Sequence, residues 1–233
     1  MRKISIFGSL MFVLLFCSCN DMYNSITDFV EEEKVYPGGF DLANGRIGYE
    51  RVEIDLLYAG RIPAGEIRLG KAKNTVIEYD NELIPIDSLC SWVNVKELKK
   101  SKLYRIKVYT TDEFGNKSIP VETALIPYTE DDKNNLTIPS PRIAYQPGEA
   151  SVSWNSNLNS VVLNYYELSF SYTDKSGASR TGTRTGQTPS FTADNLASGP
   201  VTVSLKHKVV PKVNNVAIID TVYLENSLVL SIP

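Results

Sequence analysis

The chain has 233 residues, with 24 lysines and arginines against 27 aspartates and glutamates, for a formal net charge of −3. A slightly acidic balance without a long basic tract lacks the electrostatic footprint of a nucleic-acid binder, and no nucleic-acid partner is expected. One histidine and three cysteines leave little material for a metal centre or a disulfide framework, so neither a metal nor a cofactor is expected.

Residues 1–18 read as an export signal: Met1-Arg2-Lys3 is positive, and the apolar run from 4 to 16 is too short to span a bilayer. Leu14-Leu15-Phe16-Cys17-Ser18-Cys19 resembles a bacterial lipobox, with the small Ser18 before a lipidated Cys19. Phe16 and Cys17 depart from the usual Leu and Ala or Ser, and cleavage to a soluble periplasmic protein is the alternative. Several acyl chains at about 0.8 kcal/mol per buried methylene would hold the protein to a membrane essentially permanently. Lipid on Cys19 leaves Cys90 without an internal partner, so the fold is expected to stand on burial alone.

Residues 19–33 are polar and end in Glu31-Glu32-Glu33, the composition of a solvated tether. Residues 34–127 then alternate with period two, the pattern of half-buried strands. Val52, Ile54, Leu56 and Tyr58 form one face, and Tyr104, Ile106 and Val108 another. Residues 128–141, with Glu130-Asp131-Asp132-Lys133-Asn134-Asn135 followed by Pro139 and Pro141, read as a stiff linker. In residues 142–233 the alternation returns with Tyr166, Leu168, Phe170 and Tyr172, and again with Val201, Val203 and Leu205. Turn signals at 112–116, 174–177 and 197–200 separate the runs. The expected class is all-β, two tandem β-sandwiches after a signal peptide.

Leu98 followed by Tyr104 resembles the corner of a fibronectin type III domain, where a tyrosine opens a strand and its ring caps the core. Trp154 resembles the core tryptophan of such sandwiches, whereas the second unit has Thr202 where the corner tyrosine would stand. More widely, residues 28–136 resemble a group of uncharacterised Bacteroidetes lipoproteins, the domain-of-unknown-function family four-nine-nine-eight. Cys19 with its tether, Val35-Tyr36-Pro37-Gly38-Gly39, the strand region from Arg46 to Tyr58, and Tyr109-Thr110-Thr111-Asp112-Glu113-Phe114-Gly115-Asn116-Lys117-Ser118 carry the likeness. The resemblance implies an outer-membrane habitat facing the cell surface, with the second unit outside the matched region, and associates the chain with glycan harvesting.

Catalytic signals are sparse. His207 lies on the apolar face of its strand and reads as a histidine at the margin of a core, without a nucleophile elbow or partner ligands. The carboxylate pairs Asp80 with Glu82 and Asp112 with Glu113 sit in predicted turns, where solvated carboxylates are ordinary. Lys96, Lys99, Lys100, Lys102, Arg105 and Lys107 form a basic stretch suited to an outer strand face. Asp87-Ser88-Leu89 and Asp220-Thr221-Val222 resemble a short O-glycosylation signal, the second inside a predicted strand. A sugar ring stacks its C–H face on an exposed aromatic, so Trp92, Tyr109 and Tyr165, on outward register positions, are the candidate ligand-stacking residues. Tyr145 is expected to pack between the units. The sequence therefore predicts a non-catalytic envelope lipoprotein that binds a glycan, or alternatively a structural or adhesive spacer contacting another surface protein.

Overall fold

The computed structural model describes residues 36–57 and 69–233. The export signal, Cys19, the tether and Tyr58 lie outside the described residues.

The first unit contains β1 (Leu42–Ile47), β2 (Val52–Leu57), β3 (Asn74–Tyr79), β4 (Glu82–Ile86), β5 (Trp92–Val95), β6 (Tyr104–Thr111) and β7 (Val121–Leu125). Its strands make a three-stranded sheet, β1-β2-β5, and a four-stranded sheet, β4-β3-β6-β7, with every pairing antiparallel. Period-two alternation fills the space between them. Val52, Ile54 and Leu56 of β2 and Ile106 and Val108 of β6 have no exposed surface, each side chain contributing roughly 1.5–3 kcal/mol. Tyr104 opens β6, is buried, and packs edge-on against Tyr79 at 6.4 Å between centroids, matching the corner expected of it.

The second unit contains β8 (Arg142–Gln146), β9 (Glu149–Ser153), β10 (Leu163–Thr173), β11 (Ser179–Thr185), β12 (Ser190–Ala193), β13 (Gly199–Val213), β14 (Val216–Ala217) and β15 (Val222–Ile232). Here β12-β9-β8 faces β11-β10-β13-β15, and β14 pairs with the far end of β13. Taken in chain order, the first, second and fifth main strands form one sheet and the third, fourth, sixth and seventh the other. That order is the same in both units and is the fibronectin type III arrangement. Trp154 is buried, its indole N–H donating to the Pro139 carbonyl at 2.6 Å. The missing corner tyrosine has a substitute. Tyr172 of β10 donates to Asp194 Oδ1 at 2.9 Å and accepts from the Asp194 amide at 3.1 Å, tying down the end of β12.

The segment 128–141 is more than a linker. It carries the short helix α1 (Glu130–Asn134), whose Asp132 reaches back to accept from the Thr129 amide at 2.8 Å. Leu136 and Ile138 beyond it pack on the second core. Its acidic composition reports a solvated helix, and its apolar residues belong to the sandwich that follows.

Candidate functional site

Of the three aromatics expected to face outward, one does. Trp92 is 53% exposed, whereas Tyr109 and Tyr165 are 4% and 2% exposed and offer no ring to a ligand. Tyr109 does stand on the outward register of β6, but that end of the strand is covered. Val76 lies opposite it on β3, and the Lys117 ammonium sits over its ring at 5.0 Å. Tyr165 is turned inward by a β-bulge. The register of β10 on β13 slips between Tyr165 and Glu167, so Tyr166 is the extra residue and points to solvent at 50% exposure. The inward set is therefore Tyr165, Leu168, Phe170 and Tyr172, not one beginning at Tyr166.

Trp92 opens β5 on the outer face of the three-stranded sheet. Asp55 is directly across from it on β2, and Asn44 is across from Asp55 on β1, giving one row of aromatic, carboxylate and amide. The adjoining row is Arg46, Glu53 and Asn94. Arg46 bridges the rows with ion pairs to Glu53 at 3.2 Å and Asp55 at 3.3 Å. Asn94 Oδ1 is buried without a hydrogen-bond partner among the described residues. An aromatic plate with fixed polar neighbours is the arrangement that binds a sugar by stacking and hydroxyl contacts.

The other residues with possible chemistry have structural work. His207 is buried at 1% exposure; its Nδ1 lies 3.0 Å from the Tyr165 hydroxyl and its Nε2 3.2 Å from Asn226 Oδ1. The consistent assignment has Nε2–H donating to Asn226 and the Tyr165 hydroxyl donating to Nδ1, a neutral ring with both nitrogens in use. Burial pushes the imidazole below its ordinary pKa, against a smaller opposing effect of the Asn226 hydrogen bond. It floors a cavity of about 790 Å³ between α1, the segment after it and β15. Asp80 pairs with Lys102 instead of Glu82. Asp112 is turned into its own hairpin, where Oδ1 accepts from the amides of Phe114 and Asn116 at 2.9 Å each, leaving Glu113 exposed outside. The basic stretch is also partly neutralised, with Arg105 on Glu122 at 3.3 Å and Lys107 near Glu78 at 3.7 Å. Among the described residues no three His, Cys, Asp or Glu side chains come together as a metal-binding group.

The family model for domain-of-unknown-function family 4998 matches residues 19–216. The chain belongs to that family. The match corrects the narrower likeness to residues 28–136, because it takes in most of the second unit of this family member as well. No curated protein matches it. Among solved structures it is similar to the chicken CNTN1 FN1-FN3 domains, at 14% identity and a TM-score of 0.36, covering 82% of this chain and 68% of that one. The central fibronectin-III array of RIM-binding protein is similar at 14% identity and a TM-score of 0.31, covering 83% and 69%. A two fibronectin type-III domain segment from chicken tenascin follows at 13% identity and a TM-score of 0.28, covering 84% and 98%. With TM-scores this low, the fold assignment rests on the strand orders given above.

Sequence reasoning missed the junction of this family member's two units. Arg51, in the β1–β2 turn, donates Nε–H to Asp220 Oδ2 at 2.9 Å and Nη2–H to Asp220 Oδ1 at 2.8 Å. Asp220 Oδ2 also accepts from the Tyr49 amide at 2.8 Å, and the Ile219 amide donates to the Ile47 carbonyl at 2.9 Å. A β-carbon at Gly48 would lie 2.5 Å from Asp220 Oδ2, so this approach needs a glycine. Tyr49 packs on the second core and its hydroxyl donates to Glu130, while Tyr128 forms a parallel bridge with Tyr49 and is itself buried. Burial alone would raise the Asp220 carboxyl; Arg51 and the Tyr49 amide outweigh it and hold the group below the usual carboxylate range. Asp220 was expected in a strand as part of a glycosylation signal, but it stands in the loop between β14 and β15. Tyr145 contributes nothing here: its hydroxyl accepts from the Ser231 amide at 3.4 Å inside the second unit. Only a pairing of Arg51 with an acid 169 residues away could have revealed the junction, and a single sequence carries no signal of that kind.

Proposed function

We propose that this protein is a non-catalytic lipoprotein of the cell envelope, anchored to the outer membrane through Cys19, and that it acts as a spacer or adhesion module. The observation that supports this most directly is the junction. Two ion-paired hydrogen bonds, two backbone contacts and the inserted Tyr49 fix the second sandwich on the first. A spacer is useful only if its ends keep their separation, and such a junction supplies that. The lipidation reading draws on Ser18-Cys19 and on the family match beginning at residue 19. Spin-label distances between Lys99→Cys and Lys175→Cys, in a Cys90→Ser background without Cys19, test the spacer. One narrow distribution is expected; a broad one removes the reading.

A second reading is favoured by the outer face around Trp92. An accessory glycan-binding role would use the Trp92 ring with Asp55 and Asn44 as hydroxyl partners. Saturable binding to one sugar class on a glycan array, reduced at least tenfold by Trp92→Ala, is the expected outcome. Undiminished binding by that variant would end the assignment of this face.

A further inference from the structure

The first sandwich has two poles, and the second unit occupies one of them through the β1–β2 turn and Tyr128. The opposite pole is where the chain enters the fold at Tyr36. The Gly38 carbonyl accepts from Thr110 Oγ1 at 2.6 Å and its amide donates to the Leu69 carbonyl at 3.1 Å, placing the entering segment beside the β6–β7 hairpin. The Lys73 amide donates to the Thr111 carbonyl at 2.8 Å, so the turn before β3 is at this pole too.

This pole shows large apolar side chains to solvent. Phe114 is 77% exposed, Ile119 86% and Tyr36 65%. The backbone that carries Phe114 is tied down, because Asp112 accepts from its amide and from the amide of Asn116. A rigid tip carrying a bare phenyl ring loses little further entropy when it enters an apolar phase. Around these three stand the exposed Lys71, Lys73 and Lys117, against Glu113 and Asp41. Apolar side chains on projecting loops with cations beside them match the boundary between acyl chains and phosphate headgroups.

We infer that this pole is a membrane-contacting surface, with Phe114, Ile119 and Tyr36 entering the headgroup boundary of an anionic bilayer and Lys71 and Lys73 meeting its phosphates. The inference rests on the anchoring of Cys19, because that residue precedes Tyr36 by 17 positions. At 3.3–3.6 Å per residue, the chain between them spans at most about 60 Å. The anchor thus keeps this pole within reach of the lipid.

Contact of this kind holds the chain to vesicles measurably on its own, and a lipid tether strengthens it by raising the local concentration. It would set the long direction of the two sandwiches away from the membrane. The test is co-sedimentation of the chain beginning at Asn20, which retains every described residue, with vesicles of phosphatidylglycerol and phosphatidylcholine. Binding is expected, with at least a tenfold fall for Phe114→Ser combined with Ile119→Ser, and a smaller fall on vesicles of phosphatidylcholine alone. Both replaced side chains are solvent-exposed, so an unchanged urea midpoint will show that the variant is folded. No binding by the parent chain, or equal binding by the double variant, would overturn the inference. Because this chain carries no lipid, the result is independent of Cys19, whose acylation is read separately from the mass of the N-terminal peptide of the membrane-extracted protein.

Discussion

His207 shows how one polar side chain can be held in a sandwich core. The ring is buried, stands edge-on to Trp154 at 5.7 Å between centroids, and has a partner for each nitrogen. Its pKa is lowered in the fold, so the unfolded chain takes up a proton first as pH falls. The stability it supports is therefore complete above the unfolded value of about 6.5 and is lost progressively below it. Urea unfolding should show the midpoint dropping from pH 7.5 to pH 5, and His207→Gln should flatten that dependence. Replacement by leucine strands the buried Tyr165 hydroxyl, at a cost of about 1–3 kcal/mol, whereas the exposed Asn226 amide turns to water.

At the scale of strands, alternation was readable where both registers stayed regular. Val52, Ile54 and Leu56 were legible as core from the sequence, and so were Ile106 and Val108, because a strand packed on one face has a period of two and nothing interrupts it there. The β10 bulge broke that logic. With no glycine or proline to announce it, Tyr165-Tyr166 offered two equivalent rings, and the sequence alone put the wrong one outside. Tyr109 failed for another reason, since burial of an outward position depends on Lys117 folding back over it. Trp92 was legible because β5 is short and regular, and its carboxylate and amide neighbours come from pairing with β2 and, through it, β1. Gly182 on the edge strand β11 is a pairing effect of the same kind. It lies opposite Phe170, whose ring stacks on Phe191 at 4.0 Å, and an added β-carbon would come within 2.4 Å of that ring. Gly182→Val should cost about 1–3 kcal/mol through overpacking. The urea midpoint of Gly182→Val combined with Phe170→Ala should fall by less than the two single losses together, since the clash is gone. Additive losses would mean that the glycine matters for some reason other than the ring above it.

The whole molecule depends on whether its two units move as one. Each has a core of its own, and the packing between them is the Tyr49 ring laid on the second core. The angle is set by Asp220, which gathers the Arg51 guanidinium and the Tyr49 amide at one carboxylate. Both side chains are about three-quarters enclosed, at 22% and 25% exposure, so the pair is only partly screened. Truncation to Asp220→Ala leaves the guanidinium beside Glu53 alone and the Tyr49 amide without an acceptor. A loss of roughly 2–3 kcal/mol is expected, the scale for hydrogen bonds to a charged group. Acid should act in the same direction. The Asp220 carboxyl is depressed in the fold, so its contribution stands above the unfolded carboxylate range near pH 4 and is lost as pH falls through the native value. The spin-label distribution between the units should accordingly be narrow at neutral pH and broad in Asp220→Ala. If the variant stays narrow, Tyr49 and the backbone contacts hold the angle without the ion pair. In that case Tyr49→Ala, which withdraws the ring from the second core, should release it.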